Sequence, residues 1–467
     1  MCSPREDSSS PACLPAGPFW RVGHAPERRN GWNAQPPADV RHFSPGEFFG
    51  YSPAPSASQD ADRASHLLID MRGWNPQPLR LLAHAHSLLR EGGSLIFELD
   101  VEESGSPARC HEKAFYLKAL AAHSGFSSHA GPLGNGAGSA QVVLAKTVAA
   151  RWQLGEFEPE DLPGCLSLFK ETFAAEMSPG LWHWKYGEGR GRAVTARRNG
   201  RIVAHYGATS RRIAVNGRTV RGLQVCDVMV APGERGLMTK KGVFFEVASA
   251  FLEAYFGYHD EHELAFGFPN HRAMRIAERL GLYGEVGRLA EVRWTPSDQR
   301  PRVRYAATLH DVSELEDGLL ATLWSQMAAD FQDAALVLRD PAYVRYRYQC
   351  HPVYRYEALL VRERLMGRPQ GLAILRRENN EYKLLDMLAS LNKVPLLIDA
   401  ARRQTAHCGL SALTAWISAP YALYLVHGGG VATDTDIRIP ANVWTDARSV
   451  ERLKDRWWLT MGDTDFL

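Results

Sequence analysis

The sequence has almost no net charge, little lysine and no closely spaced cysteine pair. Its 467 residues carry 54 Lys+Arg against 52 Asp+Glu, a formal net charge of +2, which excludes a general electrostatic basis for binding nucleic acid or an anionic membrane. Only 10 of these cations are lysine, so an adjacent lysine pair stands out. The 7 cysteines are scattered and odd in number, which favours a reducing compartment and no metal site.

Long apolar runs are also missing. No stretch reaches the roughly 18 apolar residues of a membrane span. The first residues combine Arg5, Glu6 and Asp7 with Ser and Pro instead of the apolar core of a signal peptide. We therefore expect a cytoplasmic protein with neither membrane nor nucleic-acid partners, long enough for two to four domains at roughly 100–200 residues each.

Hydrophobic periodicity divides the chain into an irregular start and three α/β units. Residues 1–62 are rich in Pro, Ser, Gly and Ala and predict mainly loop or disorder. Residues 63–150 alternate short buried strands with amphipathic helices. Residues 151–297 predict a strand-rich unit with Asn-Gly hairpin turns at 199–200 and 216–217, and residues 298–467 form the last unit.

The last unit repeats features of the unit before it. Trp-Lys-Tyr at 184–186 matches Tyr-Arg-Tyr at 346–348, a hairpin follows each, and Asp227 then matches Asp386 at nearly the same offset. Three matches in the same order predict two copies of one fold.

The most informative segment runs from Asp227 to Phe244. It has the pattern of a strand, a glycine-containing basic loop and a helix, which directs backbone N–H groups and the positive end of a helix dipole at a phosphate. The loop holds Arg235 and the only adjacent lysine pair, Lys240-Lys241. These residues predict a pyrophosphate ligand, and an ordinary turn with solvated basic residues is the alternative.

Two motifs of this region resemble those of the GNAT superfamily of N-acetyltransferases. One is Val-x-Pro-x-x-Arg-Gly at 230–236, and the other comprises Gly-Phe-Pro-Asn-His-Arg-Ala at 267–273 with Arg-Leu-Gly-Leu at 279–282. The resemblance covers about residues 152–294, and the last unit looks like a second, degenerate copy. It implies an α/β chain with two GNAT-like mixed-sheet domains in tandem, preceded by a small, incomplete Rossmann-like domain.

The resemblance also implies a cofactor, acetyl-CoA or another acyl-CoA. The strand ending at Val230 would splay from the strand at 263–268, and the pantetheine arm would pair in the gap like an added strand. The loop would hold the pyrophosphate, and the asparagine that opens the next helix would contact the cofactor arm. The predicted cofactor-binding residues are Met229, Val230, Arg235, Gly236, Leu237, Lys240, Lys241, Gly242 and Asn270.

Acetyl transfer to an amine needs a base for the amine and an acid for the leaving thiolate. Asp227 is the predicted base because it lies on the strand beside the expected acyl group, and Glu263 and His205 are weaker candidates. Asp227 can equally be a structural hydrogen-bonding residue, since the repeat has a matching aspartate. Many family members carry a tyrosine acid where this chain has Ala277, so Tyr283 is the nearest substitute.

The chain departs from the family pattern at the loop, whose glycines stand at 236 and 242 instead of nearer Met238 and Lys240. The prediction is an acyl-CoA-dependent N-acyltransferase, most simply one that acetylates a primary amine of a small metabolite or amino sugar. One alternative is a catalytically silent binding or scaffold protein. Another is an aminoacyl transferase of tandem-GNAT type, which the near-neutral charge disfavours because its donor is a charged tRNA.

Residues 63–150 resemble the C-terminal half of a class I methyltransferase. The resemblance is carried by Leu-Leu-Ile-Asp at 67–70, by the segment 88–97 with its Glu-Gly-Gly turn, and by residues 115–126. The glycine-rich turn that would bind S-adenosylmethionine is not recognisable in residues 1–62. We therefore expect a truncated domain that serves as a scaffold or dimerisation element.

Overall fold

The computed structural model of the chain forms two compact units, residues 1–155 and 156–467. The division falls within a strand, β7. The residues that the structure describes are 18–23, 40–51, 63–71, 77–100, 107–128, 139–147, 151–235, 240, 242–256, 262–299, 303–446 and 448–464.

The first unit is built on one six-stranded sheet. Its elements are β1 (Phe19–Val22), β2 (Val40–Phe43), α1 (Pro45–Gly50), β3 (Ala64–Asp70), α2 (Pro78–Leu88), β4 (Leu89–Asp100), α3 (Pro107–His123), β5 (Phe126–Ser128) and β6 (Ser139–Lys146). The strand order is β2-β1-β3-β4-β6-β5. Strands β1 to β4 are parallel, and β6 is antiparallel to β4 and β5.

The sequence predicted the buried parallel strands of this unit but not its short first elements. Strand β3 is buried along its whole length, as expected for a parallel strand covered on both faces, and its apolar run was detected. The stretch predicted to be mainly irregular supplies β1, β2 and α1. Four-residue strands are too short to show a period of two, so they gave no signal.

The second unit holds the remaining elements in two sheets. In chain order they begin with β7 (Gln153–Glu156), α4 (Leu162–Phe173), α5 (Pro179–Tyr186), β8 (Gly191–Arg198), β9 (Arg201–Val215), β10 (Arg218–Val230), α6 (Val243–Tyr255), β11 (His262–Phe266), α7 (His271–Arg279) and β12 (Tyr283–Trp294). The rest are β13 (Tyr305–Asp311), α8 (Asp317–Ala329), β14 (Ala335–Val337), α9 (Pro341–Val344), β15 (Glu357–Glu363), β16 (Pro369–Glu378), β17 (Glu381–Leu388), α10 (Val394–His407), β18 (Ala412–Ser418), α11 (Ala422–Leu425), β19 (Val431–Asn442), α12 (Ser449–Leu453) and β20 (Trp457–Trp458).

Strands β8, β9 and β10 form a meander with the two predicted Asn-Gly turns. Asn199 and Gly200 have φ values of 52° and 76°, and Asn216 and Gly217 have 49° and 73°. Positive φ at both central residues is the requirement of the type I′ hairpin turn, which Asn-Gly meets at low cost. Strand β9 runs unbroken past Ser210, because it stays paired with β10 throughout that stretch.

Each half of the second unit contributes strands to the sheet that the other half mainly forms. We call residues 156–294 the first half and residues 303–464 the second half. Strand β12 of the first half lies between β18 and β19 in the second sheet, whereas β14 and β20 of the second half extend the first sheet from the end of β9. One apolar cluster accordingly draws on both halves, with Ile213 and Phe266 packed among Ile439 and Trp457.

The predicted α/β class with mixed sheets is confirmed. No helix in the described part of the chain has the length and apolar character needed to cross a bilayer. The same residues contain no cluster of His, Cys, Asp and Glu that could hold a metal ion.

Candidate functional site

Strands β10 and β11, at one edge of the first sheet, separate partway along β10. Their parallel ladder ends at the pair Gln224 and Phe266, while β10 continues to Val230. Beyond this last rung no strand of the described residues pairs with the edge of β10 that faced β11. We call this space the first gap, and we call Gln224 its apex. A separation of these two strands is what the family resemblance implies.

Beyond the gap, β10 leads into the basic loop. Arg235 is exposed and turned back, with its Nε donating to the carbonyl oxygen of Val230 at 2.9 Å. Lys240 is also exposed, and its ammonium lies 5.9 Å and 5.7 Å from the ring centroids of Phe245 and Trp444. Both cations therefore stand near the mouth of the gap, where they can turn toward a bound anion.

The loop ends at Gly242, the N-cap of α6. Gly242 has extended backbone and no side chain to cap the helix, so the N–H groups of the first turn face outward without a capping side chain. Gly236, Leu237 and Lys241, which were predicted to bind the cofactor, lie outside the described residues.

The other predicted cofactor-binding residues line the two sides of the gap. On β10, Met229 is buried and pairs with His205, and Val230 pairs with Ala204. Asn270 lies on the other side, after β11, where it is exposed and caps α7 through a bond from the Ala273 N–H to its Oδ1 at 2.8 Å.

Asp227 interrupts β10 beside the gap. The register with β9 shifts here, and Asp227 has φ of 48°, in the left-handed region that aspartate tolerates better than most residues. Its buried carboxylate accepts a hydrogen bond from the Tyr186 hydroxyl at 2.7 Å and pairs with the Lys185 ammonium at 2.6 Å. Burial alone would raise the pKa of Asp227, but Lys185 and these hydrogen bonds hold it below its usual value. The carboxylate is therefore ionised at neutral pH.

His205, a weaker candidate base, lies on β9 next to Asp227. Its Nδ1 is 2.8 Å from the backbone oxygen of Asp227, and its fully buried ring stands edge-on to Trp182 and Tyr186. Burial lowers the pKa of His205, so the ring is neutral and Nδ1 carries the proton that reaches the carbonyl. Nε2 is then an acceptor, and it has no partner among the described residues.

Tyr283 lies on the opposite face of the sheet from His205. Its hydroxyl bonds that of Tyr206, and successive residues of a strand point to opposite faces. Both tyrosines are buried, and burial raises the pKa of Tyr283. Glu263 pairs with Arg218 at 2.6 Å, at the end of β11 remote from the gap. The structure thus brings neither Tyr283 nor Glu263 to the Asp227 carboxylate.

Sequence reasoning missed Lys185 and Tyr186 as the partners of Asp227. Both belong to the Trp-Lys-Tyr motif of the repeat, and the repeat was the signal that could have found them. In the second half the matching tyrosine, Tyr348, donates to the matching aspartate, Asp386, at 2.9 Å. Two residues that recur together in both copies are good candidates for a contact.

Comparison with known families places this site. The acetyltransferase (GNAT) domain family matches residues 154–286. These residues match a GNAT domain, as the motifs predicted. The first gap, the basic loop and Asp227 all lie inside the matched residues. No curated protein matches the chain.

Solved structures share the fold at low sequence identity. A protein of Enterococcus faecalis described as a "Probable N-Acyltransferase" is 12% identical, with a TM-score of 0.50 over 64% of this chain and 74% of its own. GCN5-related N-acetyltransferases of Anabaena variabilis and Kribbella flavida are 14% and 15% identical, with TM-scores of 0.48 and 0.46. They cover 63% and 62% of this chain and 73% and 71% of their own. At these identities the likeness concerns the fold.

Proposed function

We propose that the chain is an acyl-CoA-dependent N-acyltransferase that moves an acetyl group from acetyl-CoA to a primary amine of a small metabolite or amino sugar. The first gap carries this proposal. Its open edge, Val225 to Val230 of β10, leads directly into the basic loop and the N-terminus of α6. An extended pantetheine arm can hydrogen-bond to such an edge as an added strand does, and a pyrophosphate suits a helix N-terminus flanked by cations.

In this proposal, different residues of the GNAT domain bind different parts of the cofactor. The backbone of Met229 and Val230 would bind the pantetheine arm, and Asn270 would contact it from the other side of the gap. The cationic side chains and outward N–H groups of the loop would bind the phosphates, through Arg235, Gly236, Leu237, Lys240, Lys241 and Gly242. When bound, acetyl-CoA supplies the thioester that the amine attacks.

For proton transfer we propose Asp227 as the base and Tyr283 as the acid. Asp227 is ionised and lies at the edge of the gap, as a base for the amine must, although its lowered pKa makes it a weak one. Tyr283 would donate its proton by way of Tyr206. A purely structural role for Asp227, as the anchor between β10 and α5, is favoured by the equivalent bond from Tyr348 in the second half.

A catalytically silent acyl-CoA-binding protein is the second candidate function. It is favoured by the contacts of Asp227, whose carboxylate already holds Lys185 and Tyr186 and so has little capacity left for a substrate proton. Binding of the cofactor without turnover would support it.

For the remainder of the chain we propose a supporting role. The second half is a degenerate copy of the GNAT fold, supported by the matched tyrosine–aspartate bonds. The first unit is a truncated methyltransferase-like scaffold, supported by its parallel strands ending in an antiparallel pair. No residue of either part is assigned to the acyl transfer.

Calorimetry with acetyl-CoA tests the cofactor. The natural chain should bind it, and the triple variant Arg235→Ala/Lys240→Ala/Lys241→Ala should bind at least about 100-fold more weakly, because hydrogen bonds to charged groups contribute about 1.5–3 kcal/mol each. A matched control replaces three exposed arginines elsewhere, Arg218, Arg288 and Arg304, and should leave the affinity unchanged. Absence of binding by the natural chain would refute the proposal.

Thiol release across a panel of amines tests the base. Asp227→Asn should lower kcat by about 100-fold or more, whereas Asp434→Asn removes an exposed carboxylate that pairs with Arg288 and should leave kcat intact. Equal rates in the two variants would assign Asp227 to structure alone.

A further inference from the structure

The second half has a gap that matches the first. Strands β17 and β18 are parallel up to the pair Leu384 and Ala415, and each then continues, to Leu388 and Ser418. We call the space beyond this last rung the second gap. The outer edge of β18 is already paired with β12, so the edge that faces β17 is the one left open.

Residues 459–464, which we call the C-terminal segment, lie along that open edge. Thr460 forms an antiparallel bridge with Ile417. The Ser418 N–H donates to the carbonyl oxygen of Leu459 at 2.9 Å, and its hydroxyl oxygen accepts from the Leu459 N–H at 3.0 Å. These are the contacts that an added strand makes with a sheet edge.

The same segment contacts β17 on the other side of the gap. A Cβ atom added to Gly462 would lie 2.9 Å from the backbone oxygen of Leu385, 3.3 Å from the Cβ of Asp386 and 2.2 Å from the Tyr348 hydroxyl. No larger residue fits there without displacing backbone. The C-terminal segment therefore fills the second gap from one strand to the other.

Two fully buried arginines hold the segment in place. Arg347 donates from Nε to the backbone oxygen of Gly462 and from Nη2 to that of Thr464, both at 2.8 Å. Arg339 donates from Nη2 to the Asp463 carboxylate at 2.5 Å. Every non-glycine side chain of the segment is buried, so this terminus is bound as tightly as a core strand.

At the entrance of the second gap the carboxylate of Asp330 lies against the loop before α10, and this loop also carries one cation, Lys393 at the N-cap of the helix. Before α10, the backbone N–H of Leu391 donates to Asp330 Oδ2 at 2.7 Å. The negatively charged carboxylate of Asp330 thus already occupies the point at which a phosphate would approach the helix. The carboxylate would repel that phosphate.

The C-terminal segment also reaches the first gap. Gln224, the apex residue, is buried, accepts from Arg211 Nε at 3.0 Å and donates from Nε2 to the backbone oxygen of Asp463 at 2.7 Å. The rung at which β10 and β11 part is thereby tied to the segment that fills the second gap.

We infer that the C-terminal segment is the permanent occupant of the second gap and that, through Gln224, it positions the apex of the first. The chain then binds one acyl-CoA, in the first gap, and Gln224 is a positioning residue of that site. This inference rests on the proposed acyl-CoA binding, but the occupancy of the second gap can be tested without a cofactor.

Hydrogen exchange on the full chain tests the occupant. Amides of residues 459–464 should exchange as slowly as those of β17, because local opening is rare in a bound core segment, and Gly462→Ala should release them to rapid exchange. The control is Gly318→Ala, where the added Cβ meets nothing within 4 Å. Rapid exchange of the segment in the natural chain would overturn the inference.

Calorimetry with acetyl-CoA tests the link to the first gap. The natural chain should bind one equivalent, and both Gln224→Leu and Gly462→Ala should bind about tenfold more weakly. Thr405→Val serves as the stability control, because it removes one buried hydrogen bond to the Ala401 oxygen far from either gap. It should lower Tm as much as Gln224→Leu does but leave the affinity unchanged.

The outcomes separate this inference from the proposed function. Two equivalents bound by the natural chain would contradict an occupied second gap, and unchanged affinity in both gap variants would contradict the link. Failure of the natural chain to bind acetyl-CoA removes the proposed function and with it the role of Gln224 in binding, whereas hydrogen exchange still decides whether the second gap is filled.

Discussion

The two halves of the second unit place the same bond at matching points. Tyr186 donates to Asp227 in the first half, and Tyr348 donates to Asp386 in the second, at 2.7 Å and 2.9 Å. In both, the aspartate lies on a strand just past the last rung of its parallel ladder. Because the bond persists whether or not the gap is open, it belongs to the stability of the fold more than to the chemistry.

The surroundings of that bond differ between the halves. The first aspartate sits in a left-handed bulge beside an open gap and pairs with the cation Lys185. The second shares Arg339 with Asp463 of the C-terminal segment. The comparison teaches that the ion pairs of the aspartate differ between an open gap and a gap that the chain itself fills.

The largest effect is expected from Arg339→Met. The buried guanidinium serves two carboxylates, Asp386 at 3.3 Å and Asp463 at 2.5 Å, and its loss leaves both without their cation. We expect a loss of about 3–5 kcal/mol in the free energy of unfolding, measured by urea denaturation. The exposed pair of Arg345 with Asp317 provides the control, since Arg345→Met should cost at most about 1 kcal/mol. Similar losses in the two variants would mean that the second half does not depend on its filled gap.

Local sequence signals predicted the elements around the first gap closely. The expected order of strand, basic loop and helix after Asp227 is the order of β10, the loop and α6, Val243–Tyr255. The helix that an asparagine was expected to open is α7, His271–Arg279, and Asn270 caps it. Nearby residues determine both helices. The roles of Arg235, Lys240 and Gly242 in binding a cofactor stay predictions.

Local sequence patterns did not predict the contacts between segments that are distant along the chain. Strand β12 pairs with β18 and β19 across more than a hundred residues, and the pairing of Lys185 with Asp227 also joins separate elements. Trp457 and Trp458, which precede the C-terminal segment, are both buried. No local pattern predicts that the chain then enters the second gap, because the gap depends on the divergence of β17 and β18, which are distant along the chain.

A smaller loss is expected from Lys185→Met in the first half. One buried carboxylate, that of Asp227, loses its cation but keeps the hydrogen bond from Tyr186, so we expect about 3 kcal/mol, the lower end of the range for a broken buried pair. Urea denaturation at pH 7 measures it. Lys185→Arg keeps the charge and should recover part of the loss.

The same variant has a pH dependence of known sign. A carboxyl group whose folded-state pKa is lowered contributes stability above its unfolded pKa of about 3.9, and this contribution disappears as the pH falls through the folded pKa. Lys185→Met leaves burial to raise the pKa of Asp227. The difference in unfolding free energy between natural chain and variant should therefore be greatest near neutral pH and shrink in acid. A difference that stays constant from pH 7 to pH 3 would show that Lys185 does not act on the carboxylate.

The smallest effect concerns the point where the two halves meet. Trp184 and Tyr346 hold matching positions in the repeat and stack on each other, with ring centroids 4.8 Å apart and planes at 13°. Trp184 Nε1 donates to the Tyr346 carbonyl oxygen at 3.0 Å, and the Tyr346 hydroxyl donates to the Trp184 carbonyl oxygen at 3.3 Å. Such reciprocity is what two like units produce when matching surfaces face each other.

A double-mutant cycle of Trp184→Ala and Tyr346→Ala should give a coupling of about 1 kcal/mol, the usual size for a stacked aromatic pair. The control cycle pairs Trp184→Ala with Tyr421→Ala, whose ring packs instead against Phe331 and Trp458, and should give almost none. If Trp184 and Tyr346 were equally uncoupled, their matching positions would be a coincidence of sequence. A coupling near the expected value instead makes the stack a direct contact between equivalent residues, so that the difference between the halves lies in their gaps and not in how they join.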